Sequence, residues 1–175
     1  MATYKIDPMH SEITFKVKHL MITTVTGAFT KFDATMESEY PDFTDARITF
    51  EADVNSISTN NEQRDGHLKS DDFFNAAQFP TLRFVSTGIV QKNGSEYVIS
   101  GDLTIRDKSL PISLQAHYGG TVTDPYGQTK VGFELEGTIN RKDFGLTWSA
   151  TTEAGGVVVS DDVRLFLNVQ LIKSA

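Results

Sequence analysis

The stretch Glu12–His19, EITFKVKH, decides the fold of this chain. Ile13, Phe15, Val17 and His19 fall on one parity, and Glu12, Thr14, Lys16 and Lys18 on the other. Successive side chains of a strand point to opposite faces, so this is a strand with one apolar and one wet face.

The same alternation recurs along the chain. In DARITFEADVNSI (residues 45–57), Ala46, Ile48, Phe50, Ala52 and Val54 form the inner set, and Arg47, Thr49, Glu51, Asp53 and Asn55 the outer one. TLRFVST (81–87) is a short strand carrying Phe84. IVQKNGSEYVISGDLTI (89–105) holds Asn93-Gly94, a pair suited to a tight hairpin turn because both residues take positive φ readily. Ile99, Gly101 and Leu103 follow on the inner parity. LPISLQAHY (110–118) sets Leu110, Ile112, Leu114, Ala116 and Tyr118 on one face. TDPYGQ (123–128) is a turn, with Pro125 fixing φ and Gly127 closing it. VGFELEGTI (131–139) groups Val131, Phe133, Leu135, Gly137 and Ile139, and DVRLFLNVQLI (162–172) is the last strand. About eight strands joined by short turns predict an all-β chain, an antiparallel barrel or sandwich. No linker or repeat divides it, so residues 1–175 form one domain.

One segment breaks the pattern. NNEQRDGHLKSDDFF (60–74) reads as a helical excursion, with Asn60 as N-cap, Glu62 in the first turn and Gly66 weakening the centre. Ser70 then caps a second short turn that carries Phe73 and Phe74.

The totals narrow the function classes. With 39% hydrophobic and 22% charged residues the composition is that of an ordinary globular domain. The absence of cysteine removes disulfides, thiolate catalysis and Cys-bound zinc. The net charge of -7, with no Lys/Arg run, argues against general nucleic-acid binding. No run of about 20 apolar residues spans a membrane. MATYKIDPMHS shows no basic and apolar leader, so the expected location is cytoplasmic as written, and periplasmic if the chain is a processed form.

The inner faces carry almost no charge and several small residues: Ala34, Ala46, Ala52, Gly101, Ala116 and Gly137. A barrel of about eight strands is either filled by side chains or holds one ligand, and both remain open at this point. A cavity with this lining suits a long apolar molecule, since each buried CH₂ contributes about 0.8 kcal/mol.

The polar constellations give no enzyme signature. His10, His19, His67 and His117 match no metal spacing; His117 alternates outward, and His19 lies on the apolar parity as a structural histidine. Asp65 orienting His67 would be an acid–base pair, but two residues apart on a helix they diverge, and no nucleophile accompanies them. The preferred reading makes Arg64 and Asp65 partners for backbone groups and charges at the barrel end. In INRKDFGLTW (139–148), Arg141 and Asp143 end a strand, Gly145 permits a sharp turn, and Phe144 and Trp148 are large. This corner is either a mouth receiving a polar headgroup or a plug.

IDPMHSEITFKVKH (6–19), GAFTKFDATM (27–36), SISTNNEQRDGHLKSDDFFNAAQFPTLRFVST (56–87), GDLTIRDKSLPISL (101–114) and INRKDFGLTW (139–148) together resemble the YceI-like polyisoprenoid-binding proteins, in order and over nearly the whole chain. Asp107 stands where that family often carries glycine, a change expected to alter a turn only. The resemblance implies an extended lipocalin-like antiparallel β-barrel capped by one or two short helices. It implies a long isoprenoid chain, such as an isoprenoid quinone or polyprenyl compound, held inside the tube for carriage, storage or protection. It also implies homodimers, binding and not catalysis, and no metal or cofactor beyond the lipid. The expected ligand-contacting residues are Ile13, Phe15, Val17, His19, Phe32, Phe50, Phe84, Ile99, Gly101, Leu103, Leu114, Phe133, Leu135, Gly137, Ile139, Arg141 and Trp148. An enzyme acting on a lipid headgroup at the barrel mouth and a packed, ligand-free domain are the alternatives.

Overall fold

The computed structural model describes residues 2–149 and 159–174. Alternating faces of β-branched and aromatic residues form strands in the order β1 (Ala2–Ile6), β2 (Glu12–His19), β3 (Thr23–Phe29), β4 (Phe32–Ser38), β5 (Arg47–Asp53) and β6 (Ile57–Ser58). After one helix, α1 (Glu62–Lys69), come β7 (Thr81–Gln91), β8 (Glu96–Ile105), β9 (Lys108–Thr123), β10 (Thr129–Asn140) and β11 (Val159–Lys173). Every pairing is antiparallel. No helix among the described residues is long and apolar enough to cross a membrane.

Eight strands close the ring in the order β1-β4-β5-β7-β8-β9-β10-β11, with β11 returning to β1. Closure removes the free edges that an open sheet would present. The ring has the expected number of strands, and the described residues form three more. Long β11 is the reason. Its end pairs with β1 through Ile6↔Leu171, while Val159–Asn168 pair with β2. β1 and β2 thus lie end to end along one neighbour. Ser11 spans the break, its Oγ accepting from Gln170 N at 3.0 Å. β3 and the two-residue β6 extend the wall from β2. TTVTGAF and IS are too Thr-rich or too short to show an alternation of their own.

Local details differ from the sequence expectation in three places. Asn61, not Asn60, caps α1, its side chain accepting from Arg64 N at 3.0 Å; Asn60 precedes it with φ of 60°. Ser70 ends that helix as well as opening the expected turn with Phe73 and Phe74, where Phe73 N donates to Ser70 O and Phe74 N to Leu68 O. The β7–β8 hairpin forms without positive φ at Asn93 or Gly94; Asn93 Oδ1 instead accepts from Ser95 N and Glu96 N. In the β8–β9 turn it is Arg106, φ 53°, that takes the left-handed conformation.

The β2–β3 hairpin turns on Leu20 and Met21, φ 53° and 62°, with Ile22 N donating to His19 O at 3.2 Å. Such backbone costs a non-glycine residue of order 1–3 kcal/mol.

Candidate functional site

The inner faces enclose an apolar tube with a volume of about 210 Å³. Ile6, Met36, Phe43 and Leu171 bound one end, and Phe73, Phe74, Leu146 and Arg141 the other. Of the residues expected in contact with a ligand, Ile13, Phe15, Val17, Phe50, Phe84, Ile99, Leu103, Leu114, Phe133, Leu135, Ile139 and Arg141 line it. The period of two brings these together, because residues of one parity share a face across every pairing.

His19, Phe32, Gly101, Gly137 and Trp148 do not line the tube. Phe32 stacks on Phe50 at 6.5 Å. His19 lies at the far end of β2, where its carbonyl closes the hairpin turn. The two glycines correct the reading of small inner residues as unfilled volume. A Cβ on Gly101 would stand 2.4 Å from Phe84 Cζ and 2.5 Å from Val85 O. One on Gly137 would stand 2.7 Å from Leu114 Cδ2 and 3.3 Å from Ser113 O. Both positions are already filled by a neighbouring strand's side chain. Ala46, Ala52 and Ala116 are likewise buried outside the lining, and of the small set only Ala34 faces the tube.

Arg141 is the charged residue of the lining, and it is 2% exposed. It begins the single turn Arg141–Phe144 that stops β10, and Gly145 at φ 83° sends the chain back across the barrel end. That return lays carbonyls around the guanidinium. Nη1 donates to Leu146 O at 2.6 Å and Trp148 O at 2.7 Å; Nε donates to Ser160 O at 2.9 Å and Nη2 to Val159 O at 3.3 Å. Asp161 lies 3.7 Å away. Burial holds the guanidinium below its ordinary pKa, partly offset by Asp161. With four of its five N–H donors on backbone oxygens and Asp161 beside Nη2, Arg141 ties the barrel corner together as a plug.

The capping segment is organised in the same manner. Asp65 Oδ1 accepts from Thr59 N at 2.8 Å and Thr59 Oγ1 at 2.6 Å. Arg64 Nη2 donates to Thr59 O and its Nε to Thr59 Oγ1, each at 2.8 Å. His67 pairs instead with Asp72, Nε2 to Oδ2 at 2.8 Å, and lies edge-on between Phe73 and Trp148 at 5.1 and 4.8 Å. Asp65 and His67 therefore serve different partners and do not form an acid–base pair. Phe73 and Phe74 face the tube, and Phe74 meets Phe29 at 6.0 Å.

Sequence reasoning missed the clamp and the floor. Arg106 Nη1 donates to Asp71 O, Phe73 O and Gly145 O at 3.0, 3.1 and 3.4 Å, joining the cap to the returning loop. Phe43 closes the other end, its ring 5.9, 5.6 and 5.7 Å from those of Tyr4, Tyr118 and Phe133. Tyr97 fixes that loop by donating to Asp42 O at 2.7 Å, and burial raises its phenol pKa. Phe43 sits in a loop without alternation, so no periodic signal marked it. Met36, Leu165, Leu167 and Leu171 carried that signal, on the apolar parity of their strands.

Comparison with known proteins gives the same picture. A Salmonella newport protein named YceI is 36% identical over 171 residues, covering 97% of this chain and 86% of its own length. BcnA of Burkholderia cenocepacia superposes with a TM-score of 0.82 at 21% identity, covering 94% of this chain and 98% of that one. A polyisoprenoid binding domain from Saccharophagus degradans, implicated in plant cell wall breakdown, superposes with a TM-score of 0.69 at 14% identity over 98% of each chain. Residues 4–171 match the model of the YceI-like domain, and the chain belongs to that family.

Proposed function

We propose that the barrel binds the chain of a long isoprenoid or related lipid, an isoprenoid quinone or polyprenyl compound, for carriage, storage or protection. The observation that carries this reading is the tube itself: apolar from Phe43 to Phe73, with Arg141, the one charged side chain of its lining among the described residues, held by four backbone oxygens. A lipid tail gains about 0.8 kcal/mol for each CH₂ it removes from water and needs no polar contact there. The polyisoprenoid binding of the Saccharophagus domain supports the choice of ligand class. The tube also favours this reading over a filled structural domain. The separate partners of Asp65 and His67 favour binding over headgroup catalysis.

The same reading includes a homodimer as the working unit, checked by light scattering. The protein's location, cytoplasmic or periplasmic, is decided by cell fractionation. The deciding experiment is mass spectrometry of an organic extract of the purified protein. A stoichiometric prenyl lipid is expected. An extract free of lipid, together with no uptake of a prenyl alcohol from detergent micelles, refutes the proposal.

A further inference from the structure

The β2–β3 hairpin ends in three consecutive apolar side chains that the fold leaves in water. Leu20, Met21 and Ile22 are 39%, 64% and 78% exposed. The other exposed large apolar residues, such as Met9, Val90 and Tyr126, are isolated in sequence, as is normal for a protein surface. The backbone adds a second, independent observation. Both central residues of this turn have positive φ, a position that calls for Asn or Gly, and they are Leu and Met. Bulky apolar groups are thus displayed where they neither pack nor suit the turn. The third observation is position. Val17, two residues before His19, lines the tube, and so does Val159, which pairs with His19. The tip is the direct prolongation of the tube wall. Lys18 stands beside it on the wet face.

We propose that Leu20-Met21-Ile22 is a docking finger that inserts into a lipid bilayer surface and brings this end of the tube to the membrane. The inference rests on the reading of the tube as a lipid site. A chain barely soluble in water is met in bilayers, so a carrier gains from contact with one. A bilayer accepts three unpacked apolar side chains without a complementary groove, and a neighbouring lysine snorkels to the headgroups. The net charge of -7 makes the contact apolar and not electrostatic, so salt should change it little.

The test compares the protein with the triple variant Leu20→Asn, Met21→Gly, Ile22→Thr. This change installs the residues the turn calls for, so the variant should melt at the same or a higher temperature. In flotation with phosphatidylcholine vesicles its partitioning should fall about tenfold or more. Uptake of a prenyl alcohol from those vesicles should slow in parallel, while uptake from detergent micelles stays unchanged. Equal flotation of the two proteins, or none by the parent, overturns the docking role. A lowered molar mass of the variant in light scattering, with vesicle binding unchanged, assigns the tip to a contact between copies and also overturns it. Failure of both proteins to take up the prenyl chain from micelles rejects the lipid reading of the tube, and flotation still decides the docking.

Discussion

Replacing Arg141 by Met tests whether this residue is a plug or a headgroup ligand. Met has similar length and no donor, so four backbone oxygens lose their partner: Leu146 O, Trp148 O, Ser160 O and Val159 O. The half-buried Val159 and Ser160 can recover water. The two shortest bonds, to Leu146 O and Trp148 O, are the costly losses, at about 1.5 kcal/mol each for a charged donor. Folding no longer has to strip water from a guanidinium, which offsets part of this. The net expectation is a loss of about 2–4 kcal/mol. At about 2–4 °C per kcal/mol for a domain of this size, Tm should fall by roughly 5–15 °C. Arg141→Lys keeps the charge, but its single ammonium cannot span carbonyls lying in several directions, so it should recover less than half. The assay is thermal and urea unfolding of lipid-stripped protein, with prenyl alcohol and prenyl phosphate affinities measured on the same samples. An Arg141→Met protein of unchanged stability that loses prenyl phosphate binding but keeps prenyl alcohol binding would refute the argument. The guanidinium would then be serving a headgroup.

Gly137→Leu and Gly101→Ala should each overpack the wall and cost about 1–3 kcal/mol or more, Gly101→Ala through the Val85 carbonyl, which cannot rotate away. Urea unfolding checks both, and a stable Gly137→Leu protein with a weakened prenyl affinity would restore the glycine to the tube. His67→Ala and Asp65→Asn should lower stability, Asp65→Asn by about 1 kcal/mol because its amide Oδ1 still accepts from Thr59 but without the carboxylate's charge, with prenyl binding per folded molecule unchanged; a lost turnover in both, with folding intact, would indicate catalysis. Acid should weaken the fold through Asp7 and Asp124. The hydrogen bond from His10 lowers the pKa of Asp7, and the backbone hydrogen bond from Gln128 lowers that of Asp124. Both then bind protons less readily folded than unfolded, so their contribution is present above the unfolded value of about 4 and is lost as pH falls through the folded values. Urea midpoints measured from pH 6 down to about pH 2 should decline, and Asp7→Asn should flatten that decline.

The alternation in EITFKVKH and its repeats determined the inward faces and most of the tube lining, and narrowed the fold to an antiparallel barrel or sandwich. Parity is a local property of a strand, set by its backbone whatever its partners are. Which inner residue meets which is not local. It depends on register, and the irregularities at Ser86/Gly88 and Gly132/Phe133 shift that register partway along a strand. Tertiary structure therefore decided that Gly101 makes room for Phe84 and Gly137 for Leu114, and that neither opens space for a ligand. It decided that Arg141 faces carbonyls, because the turn at Gly145 folds the following chain over it. The helical segment was legible as an excursion, but its chemistry was not: Asp65 and His67 lie two apart in sequence and find their partners in Thr59 and Asp72. Phe43 becomes a floor only when its loop meets Tyr4, Tyr118 and Phe133, three rings from distant strands. A periodic pattern states which way a side chain points, and only the closed barrel supplies what it points at.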